Sequence, residues 1–189
     1  MTNKILKKIV GAFDYKLVEK NLIKNNRLIH SKSILNLKLI LKKIFNNQKI
    51  KCLIQIGAND GSRFDELNIF IKKYKIKSIL VEPINEYFED LKRNYKNFEN
   101  VYFENSAITV GTKEKEIFMV NKKNLNDYDE HIKGISSFDK NHLIKHGVKS
   151  NHILKKKINC ISILNLLKKY NISDLDILFI DAEGYDGDI

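Results

Sequence analysis

The stretch CLIQIGANDGSRFDEL, residues 52–67, decides which fold this chain can adopt. It opens with an apolar run of strand length, passes through a turn containing two glycines, and ends where a helical pattern starts. Glycines at such a turn let the backbone adopt positive φ and pass close to a ligand. Taken alone, the stretch fits a ligand-binding turn and a plain strand-to-helix loop equally well. We expect Ser62 to cap the following helix, with Asp65 as its partner three residues on.

Downstream of this stretch, apolar runs of strand length alternate with segments of helical spacing. The predicted strands are KSILVE (77–82), VYFENSAI (101–108), EIFMV (116–120), the start of NCISILNLLKKY (159–170) and DILFIDAEG (176–184). EIFMV follows a turn at Gly111 and is expected to be antiparallel, whereas residues 121–157 predict a long loop with short helical pieces around 138–146. The alternation predicts an α/β fold, a mostly parallel sheet with helices on its faces.

The N-terminal part of the chain has a different pattern. Ile5, Ile9, Phe13 and Leu17 recur at spacing four, and a second apolar stripe runs through residues 37–45. We therefore expect a helical segment over residues 1–48 and the α/β domain over 49–189. Such helices usually pack on a domain, and the alternative is that a basic amphipathic helix lies on an anionic membrane surface.

Composition and net charge limit the functional classes to which this chain could belong. The 189 residues carry a net charge of +11, but the cations are nearly all lysines, with arginine only at Arg27, Arg63 and Arg93. We interpret this as biased composition and expect no nucleic-acid partner, because arginine is the side chain that binds planar acceptors bidentately. No apolar run approaches the roughly 18 residues of a membrane span, and Asp14 interrupts the first one, so a cytoplasmic location is expected. Cys52 and Cys160 are expected to be buried, reduced thiols.

The residues at the carboxyl ends of the predicted strands are the candidates for a binding site, because ligands of doubly wound sheets bind there. Glu82 follows the glycine turn by 25 residues, close to the roughly 20-residue interval at which an acid binds the ribose in dinucleotide sites. Polar and small residues end the third strand, and Asp181 and Glu183 end the last. Two carboxylates at one sheet edge favour a cationic ligand or a general base.

Five separated segments, in this order, resemble the FkbM family of S-adenosylmethionine-dependent methyltransferases. They are IQIGANDG, LVEP, ENSAIT, the pair Ser136-Ser137, and ISILNLLKKYNISDLDILFIDAEGYD, and they span roughly residue 50 to the end. The resemblance implies a Rossmann-like class I methyltransferase fold, S-adenosylmethionine as cofactor, and O-methylation of a small-molecule or glycan hydroxyl. We assign no metal-ligating residue, and the sequence leaves metal dependence open.

The resemblance also implies a role for each matching position. The cofactor-binding residues are Gly57, Asn59, Asp60 and Gly61 at the methionine side, Glu82 at the ribose, and Asn105, Ser106 and Ala107 at the adenine; the catalytic residues are Asp181 and Glu183. One of these two acids is expected to act as general base or to orient the acceptor, with His131, His142 and His146 as weaker candidates. Gln55 departs from the acid that many class I methyltransferases have before the turn, and Asn59 replaces their middle glycine.

The last predicted strand lies close to the end of the chain. Its ILFI run, residues 177–180, would form an open apolar edge, so we expect a C-terminally truncated domain that lacks further strands, associates through this edge and has weak or no turnover. The alternatives to a methyltransferase are an NAD-dependent Rossmann oxidoreductase, which would want a third glycine near Ser62, and an inactive truncated binding module.

Overall fold

A computed structural model of the chain describes residues 36–63 and 65–189. The chain divides between Lys49 and Ile50 into two units, and each is described by itself. None of the helices in the described ranges is long and apolar enough to cross a membrane.

In the first unit the structure describes helix α1 (Leu37–Asn47). Asn36 caps it by accepting a hydrogen bond from the backbone N–H of Leu39 at 3.1 Å. Leu41 and Phe45 are buried at the spacing of one helical face, which confirms the second predicted stripe at these positions. Leu37, Leu39 and Ile40 were also expected in the stripe, but each is 40% exposed. The first stripe, Ile5 to Leu17, lies outside the described residues.

The second unit contains eight strands and five α-helices within its described part. In chain order they are β1 (Cys52–Ile56), α2 (Asn68–Tyr74), β2 (Lys77–Val81), α3 (Asn85–Asn94), β3 (Val101–Glu104), β4 (Ala107–Ile108), β5 (Glu114–Val120), α4 (Glu130–Lys133), β6 (Ser136–Ser137), α5 (Lys140–Lys145), β7 (Ile153–Ile161), α6 (Ile163–Lys169) and β8 (Ile177–Ile180). Short 3₁₀ helices span Lys122–Asp127, Ser150–His152 and Asp186–Asp188.

The first sheet is parallel, in the order β3-β2-β1-β8. All five residues of β1 are buried, as expected for a central parallel strand that is covered on both faces. Ile54 and Ile79 pack with Leu166 of α6 on one face. Leu53 and Leu80 alternate with them and are fully buried, so the opposite face is covered as well. This is the predicted parallel sheet flanked by helices.

Strand β8 lies at the edge of this sheet. It pairs with β1, from Leu53–Ile177 to Ile56–Ile180, and no other strand in the described part of the chain pairs with it. Leu178 of this strand is 43% exposed. Among the described strands, the ILFI run is therefore an edge strand of this sheet.

The second sheet has the order β4-β7-β5-β6 and corrects one predicted strand. Residues 101–108 were expected to form one strand, but the chain leaves the first sheet after Glu104, and β4 pairs with β7 in the second. Asn105 donates to the Glu82 carbonyl oxygen at 2.9 Å, and the Ser106 hydroxyl donates to the Glu104 carboxylate at 2.6 Å. These local side-chain hydrogen bonds compete with a continuous strand ladder.

Strand β7 corrects the predicted loop over 121–157. β7 starts at Ile153, is nine residues long and runs antiparallel to β5, which confirms the antiparallel orientation of β5. The run Lys155-Lys156-Lys157 hides the strand pattern in the sequence. In the structure Lys155 forms an ion pair with Glu116 of β5 at 3.0 Å, because antiparallel sheets can expose one polar face.

The predicted helix cap after the glycine turn is wrong. Helix α2 begins at Asn68, and its N-cap position is Leu67, without a side-chain cap. Ser62 does not cap this helix. Instead, the Asp60 carboxylate accepts hydrogen bonds from the backbone N–H groups of Ser62 and Arg63, both at 2.9 Å. An aspartate two residues before a donor closes a local turn in this way, which delays the start of the helix.

The two cysteines are free, as expected. Cys52 is buried, but Cys160 is only partly buried, although it packs against the core cluster that contains Ile84 and Ile158.

Candidate active site

A cavity of about 170 Å³ opens at the carboxyl ends of β1, β2 and β8. Its wall includes residues from the turn after β1, from the end of β2, from β4 and from the loop after β8. This is the position at which parallel α/β sheets bind their ligands.

A glycine is required at position 57 because two backbone segments pass very close to each other there. Its φ is +80°, and a Cβ at this position would overlap the backbone carbonyl oxygen of Asp181. Its N–H donates to the Val81 carbonyl oxygen at 3.0 Å. The glycine therefore holds the ends of β1, β2 and β8 together while its own backbone lines the cavity.

Asn59 continues the turn in the left-handed region, with φ of 49°. Its backbone N–H donates to the Glu82 carboxylate at 2.9 Å, and its side-chain oxygen accepts from the Asp60 N–H at 2.8 Å. Gly134 packs so closely that a Cβ there would lie 2.7 Å from the Asn59 amide nitrogen. Asparagine tolerates the left-handed conformation better than most side chains, which explains why it can replace a glycine here.

Asp60 and Arg63 stabilise the turn through an ion pair. The Asp60 carboxylate contacts the Arg63 guanidinium at 2.6 Å, and Arg63 reaches Glu130 at 3.0 Å. Burial would raise the pKa of Asp60, but the hydrogen bonds and charge of Arg63, with the Ser62 N–H, outweigh it and lower that pKa. The turn is thus tied to helix α4 through an ionised aspartate.

Glu82 is a buried carboxylate at the end of β2, only 4% exposed. It accepts backbone N–H groups from Asn59 at 2.9 Å and Ile84 at 2.8 Å. Burial raises its pKa to about 7 despite these two hydrogen bonds, and the charge of Asp60 adds to the shift. Each carboxylate oxygen retains a second lone pair, so Glu82 can still accept hydrogen bonds from a ligand in the cavity that it lines.

The residues that follow β3 have two different roles in the site. Asn105 does not line the cavity and donates to the Glu82 carbonyl oxygen at 2.9 Å, whereas Ser106 and Ala107 line the cavity. Ser106 is held by Glu104, which also accepts from Lys169 at 2.6 Å and Tyr170 at 3.0 Å.

The loop after β8 carries both predicted catalytic acids into the cavity wall. Glu183 adopts φ of 47°, a strained conformation for a side chain with a Cβ. Its backbone carbonyl accepts the Ser137 hydroxyl at 2.7 Å, and its carboxylate lies 3.2 Å from His142 Nε2. Asp186 accepts the backbone N–H of Ala182 at 2.7 Å and so closes the loop. Glu183 is therefore positioned from two sides.

Asp181 has a different environment from Glu183. Partial desolvation raises the pKa of Asp181, and the charges of Glu183, Asp186 and Glu66 raise it further, although the side chain still reaches solvent. No hydrogen bond from the described part of the chain contributes to its titration. A carboxylate with a raised pKa and free acceptor positions is suited to take up a proton.

Seven of the ten predicted site residues line the cavity: Gly57, Asn59, Glu82, Ser106, Ala107, Asp181 and Glu183. Three do not. Asp60 and Asn105 support the wall from behind, and Gly61 packs against α3, where a Cβ would lie 2.6 Å from the Tyr95 ring. Of the three loop histidines, His131 lines the cavity, His142 contacts Glu183, and His146 stacks on His142 with ring centroids 4.7 Å apart.

Sequence reasoning missed one property of the wall, its charge. Six carboxylates belong to it: Asp65, Glu66, Glu82, Glu130, Asp181 and Glu183. The basic residues of the same wall are Arg63 and His131, and Arg63 is already paired with two acids. The only signal for this in the sequence was the pair Asp181 and Glu183, because the other acids are scattered along the chain.

Residues 55–189 match the methyltransferase FkbM domain. The chain belongs to the FkbM methyltransferase family. The match covers the cavity-lining residues, both predicted catalytic acids and all of the parallel sheet except the first three residues of β1, and it confirms the Rossmann-like methyltransferase fold. No protein with a curated description matches the chain.

Membership in the FkbM family establishes a methyltransferase domain and, in general terms, a methyl donor. Within residues 36–63 and 65–189, no group of three or more His, Cys, Asp or Glu side chains could hold a metal ion.

Proposed function

We propose that this FkbM domain transfers a methyl group from S-adenosylmethionine to a hydroxyl of a small-molecule or glycan acceptor. The observation that carries the proposal is the negative cavity wall, six carboxylates in a chain whose net charge is +11. S-adenosylmethionine carries a sulfonium cation, and the negative charge of the wall would attract it. This Coulomb attraction is stronger in the cavity than in bulk water, because protein screens charges less than water does.

The cavity residues fit the parts of this cofactor. Glu82 would accept the hydroxyls of the ribose diol, since its carboxylate retains free lone pairs. Small residues, Ser106 and Ala107, leave space for a flat base beside the apolar side chain of Ile108, which also lines the cavity. The turn at Gly57 and Asn59 would contact the methionine part.

The bound cofactor would supply an electrophilic methyl group on sulfur. The protein's share of the reaction is then alignment of the acceptor, exclusion of water and removal of a proton. Asp181 would accept the proton of the acceptor hydroxyl, because its pKa is raised and no hydrogen bond from the described part of the chain contributes to its titration. Glu183, held by His142 at 3.2 Å, would orient the acceptor.

The same geometry disfavours the NAD-dependent oxidoreductase. A dinucleotide pyrophosphate binds at a helix N-terminus that directly follows the glycine turn. Here α2 begins at Asn68, seven residues after Gly61, and the cavity wall is negative rather than positive. A dianionic pyrophosphate would be repelled by this wall.

Titration calorimetry with S-adenosylhomocysteine tests the proposal. We expect the wild-type chain to bind it and Glu82→Gln to weaken binding about tenfold or more, since hydrogen bonds to a charged group are worth about 1.5–3 kcal/mol. Glu89→Gln is the matched control, because Glu89 is a partly exposed acid on α3 that pairs with Lys92 and does not line the cavity.

Two results would contradict the proposal. One is the absence of S-adenosylhomocysteine binding together with binding of a nicotinamide cofactor, which would support the oxidoreductase. The other is salt-dependent binding of polyanions without any cofactor binding, which would support a binding module. Product analysis by mass spectrometry with hydroxyl-bearing and amine-bearing acceptors then tests whether oxygen is the atom that is methylated.

A further inference from the structure

The positive charge of this chain is concentrated in its first unit. Residues 1–49 contain 12 of the 34 lysines and arginines but only two of the 23 acids, Asp14 and Glu19, which gives this unit a net charge of +10. Residues 50–189 contain 22 basic residues and 21 acids and contribute the remaining +1. The first unit is therefore the part of the chain that an anionic partner would attract.

Helix α1 of this unit also exposes apolar side chains. Leu37 and Ile40 are each 40% exposed, and because they lie three residues apart they share one face of the helix. Ile44, four residues further along that face, is only partly buried. Leu41 and Phe45, on the adjacent face, are the buried residues of α1. The apolar stripe of α1 is thus wider than the part that the fold buries.

Lysines flank the exposed part of the stripe. Lys38, Lys42 and Lys43 are exposed on α1, and the helix contains no acidic residue. A basic amphipathic helix of this kind is typical of segments that lie in the plane of a membrane interface. Its apolar side chains enter the boundary between headgroups and acyl chains, whereas its lysines contact anionic headgroups. Long lysine side chains reach those headgroups from the edge of an apolar face.

We propose that α1 binds the surface of an anionic phospholipid membrane and thereby holds the FkbM domain at that surface. Leu37, Ile40 and Ile44 enter the interface, and Lys38 and Lys43 contact the phosphate and carboxylate groups of the lipids. The helix lies on the membrane and does not cross it, in line with its length of 11 residues. The inference is independent of the methyl donor and acceptor proposed above.

A nucleic acid would be attracted by the same charge, but it would leave the apolar side chains unused. Binding to a phosphate backbone rests on the cations and on the release of counterions, so it gives no reason for Leu37 and Ile40 to be exposed beside the lysines. A membrane interface removes these side chains from water, and the hydrophobic effect then adds to the electrostatic attraction. The combination of charge and exposed apolar surface therefore favours the membrane.

Sedimentation of the full chain with sucrose-loaded vesicles tests the electrostatic part. We expect tighter binding, by about tenfold or more, to vesicles with about 30% phosphatidylserine than to vesicles of phosphatidylcholine alone. The triple variant Lys38→Gln, Lys42→Gln and Lys43→Gln should weaken binding to the anionic vesicles about 100-fold, because each lysine near such a surface strengthens binding about fivefold.

The matched control removes the same charge from the FkbM domain. Lys113→Gln, Lys123→Gln and Lys149→Gln replace three lysines that are also exposed. Because these lysines lie outside the first unit, the control variant should bind anionic vesicles within about twofold of wild type. An equal loss in both triple variants would overturn the inference, since binding would then follow net charge and not α1.

A tryptophan reporter tests the apolar part. The chain contains no tryptophan, so Ile40→Trp supplies a single fluorophore in the exposed stripe. We expect its emission to move to shorter wavelength when anionic vesicles are added and to be quenched by brominated lipids. Leu37→Gln with Ile40→Gln should weaken vesicle binding about tenfold or more. Leu164→Gln, which replaces a 65% exposed leucine on α6, is the control and should leave it unchanged.

Three further results would overturn the inference. The first is that the wild-type chain does not sediment with anionic vesicles. The second is that it sediments while the Ile40→Trp emission stays unchanged, because adsorption would then be electrostatic only. The third is tighter binding to a uridine homopolymer than to anionic vesicles at the same salt concentration, which would identify a nucleic acid as the partner. Circular dichroism of each variant checks that it is folded.

Discussion

Replacing Glu82 with glutamine should flatten the pH dependence of this domain's stability between about pH 4.5 and 7. Burial raises the Glu82 pKa from 4.5 to about 7 in the folded chain. In that window the folded state keeps a proton that the unfolded state has released, so the stability falls as pH rises. Above about pH 7 both states are ionised at this group, and its contribution no longer changes.

The magnitude follows from the shift. One pKa unit corresponds to about 1.4 kcal/mol, so the shift to about 7 destabilises the ionised folded state by about 3 kcal/mol. For a domain of this size, 1 kcal/mol moves Tm by roughly 2–4 °C. We therefore expect the wild-type Tm to fall by roughly 6–12 °C more than that of Glu82→Gln between pH 4 and pH 8.

The stability of Glu82→Gln at a single pH is a weaker test than the change in its stability with pH. Glutamine keeps one acceptor oxygen but turns an amide nitrogen toward one of the two N–H groups that Glu82 now binds, from Asn59 and Ile84. An unpaired buried group costs about 1–3 kcal/mol, which offsets much of the gain at pH 8.

Thermal unfolding followed by circular dichroism at several pH values measures the difference in Tm, and urea unfolding measures the corresponding free energy. Other titrating groups, including Asp65 and Asp181, are present in both proteins and cancel in the comparison. Glu89→Gln serves as control and should follow the wild-type profile. Parallel profiles for wild type and Glu82→Gln would refute the reasoning, because a buried carboxyl with this pKa must couple to folding.

Two further changes test the floor and the chemistry of the cavity. Gly57→Ala should lower the free energy of unfolding by more than about 3 kcal/mol or prevent folding, since its Cβ would overlap the Asp181 carbonyl oxygen. The control is Gly111→Ala, also at positive φ but with open space around it, which should cost only about 1 kcal/mol in the same urea assay. Similar losses in the two variants would contradict the crowding argument. Asp181→Asn should lower kcat about 10²- to 10⁴-fold while S-adenosylhomocysteine affinity changes little, and full turnover in this variant, once an acceptor is found, would exclude Asp181 as the base.

Much of the fold could be predicted because its signals are local. The apolar runs of β1, β2 and β8 and the helical spacing of α2 and α3 are readable within a few residues. The errors occurred where a tertiary contact overrode the local pattern. Residues 101–108 are divided between two sheets because Asn105 and Ser106 form hydrogen bonds with neighbouring groups. The strand predicted for β7 was too short because three consecutive lysines hide the alternation of apolar and polar residues.

The sequence by itself determined the parallel sheet, the glycine turn and the acids at the ends of β2 and β8, because strand ends and turn residues are fixed by spacing along the chain. Only the tertiary structure decided which side chains share the cavity. His142 meets Glu183 across 41 residues, and Gln55 meets Asp65 across a turn that delays its helix. Contacts of this kind depend on how strands cross over and how a loop folds back, and no local pattern records those choices. The GANDG turn is thus a wall of the cavity, and the charge opposite it comes from acids spread over more than 100 residues of sequence.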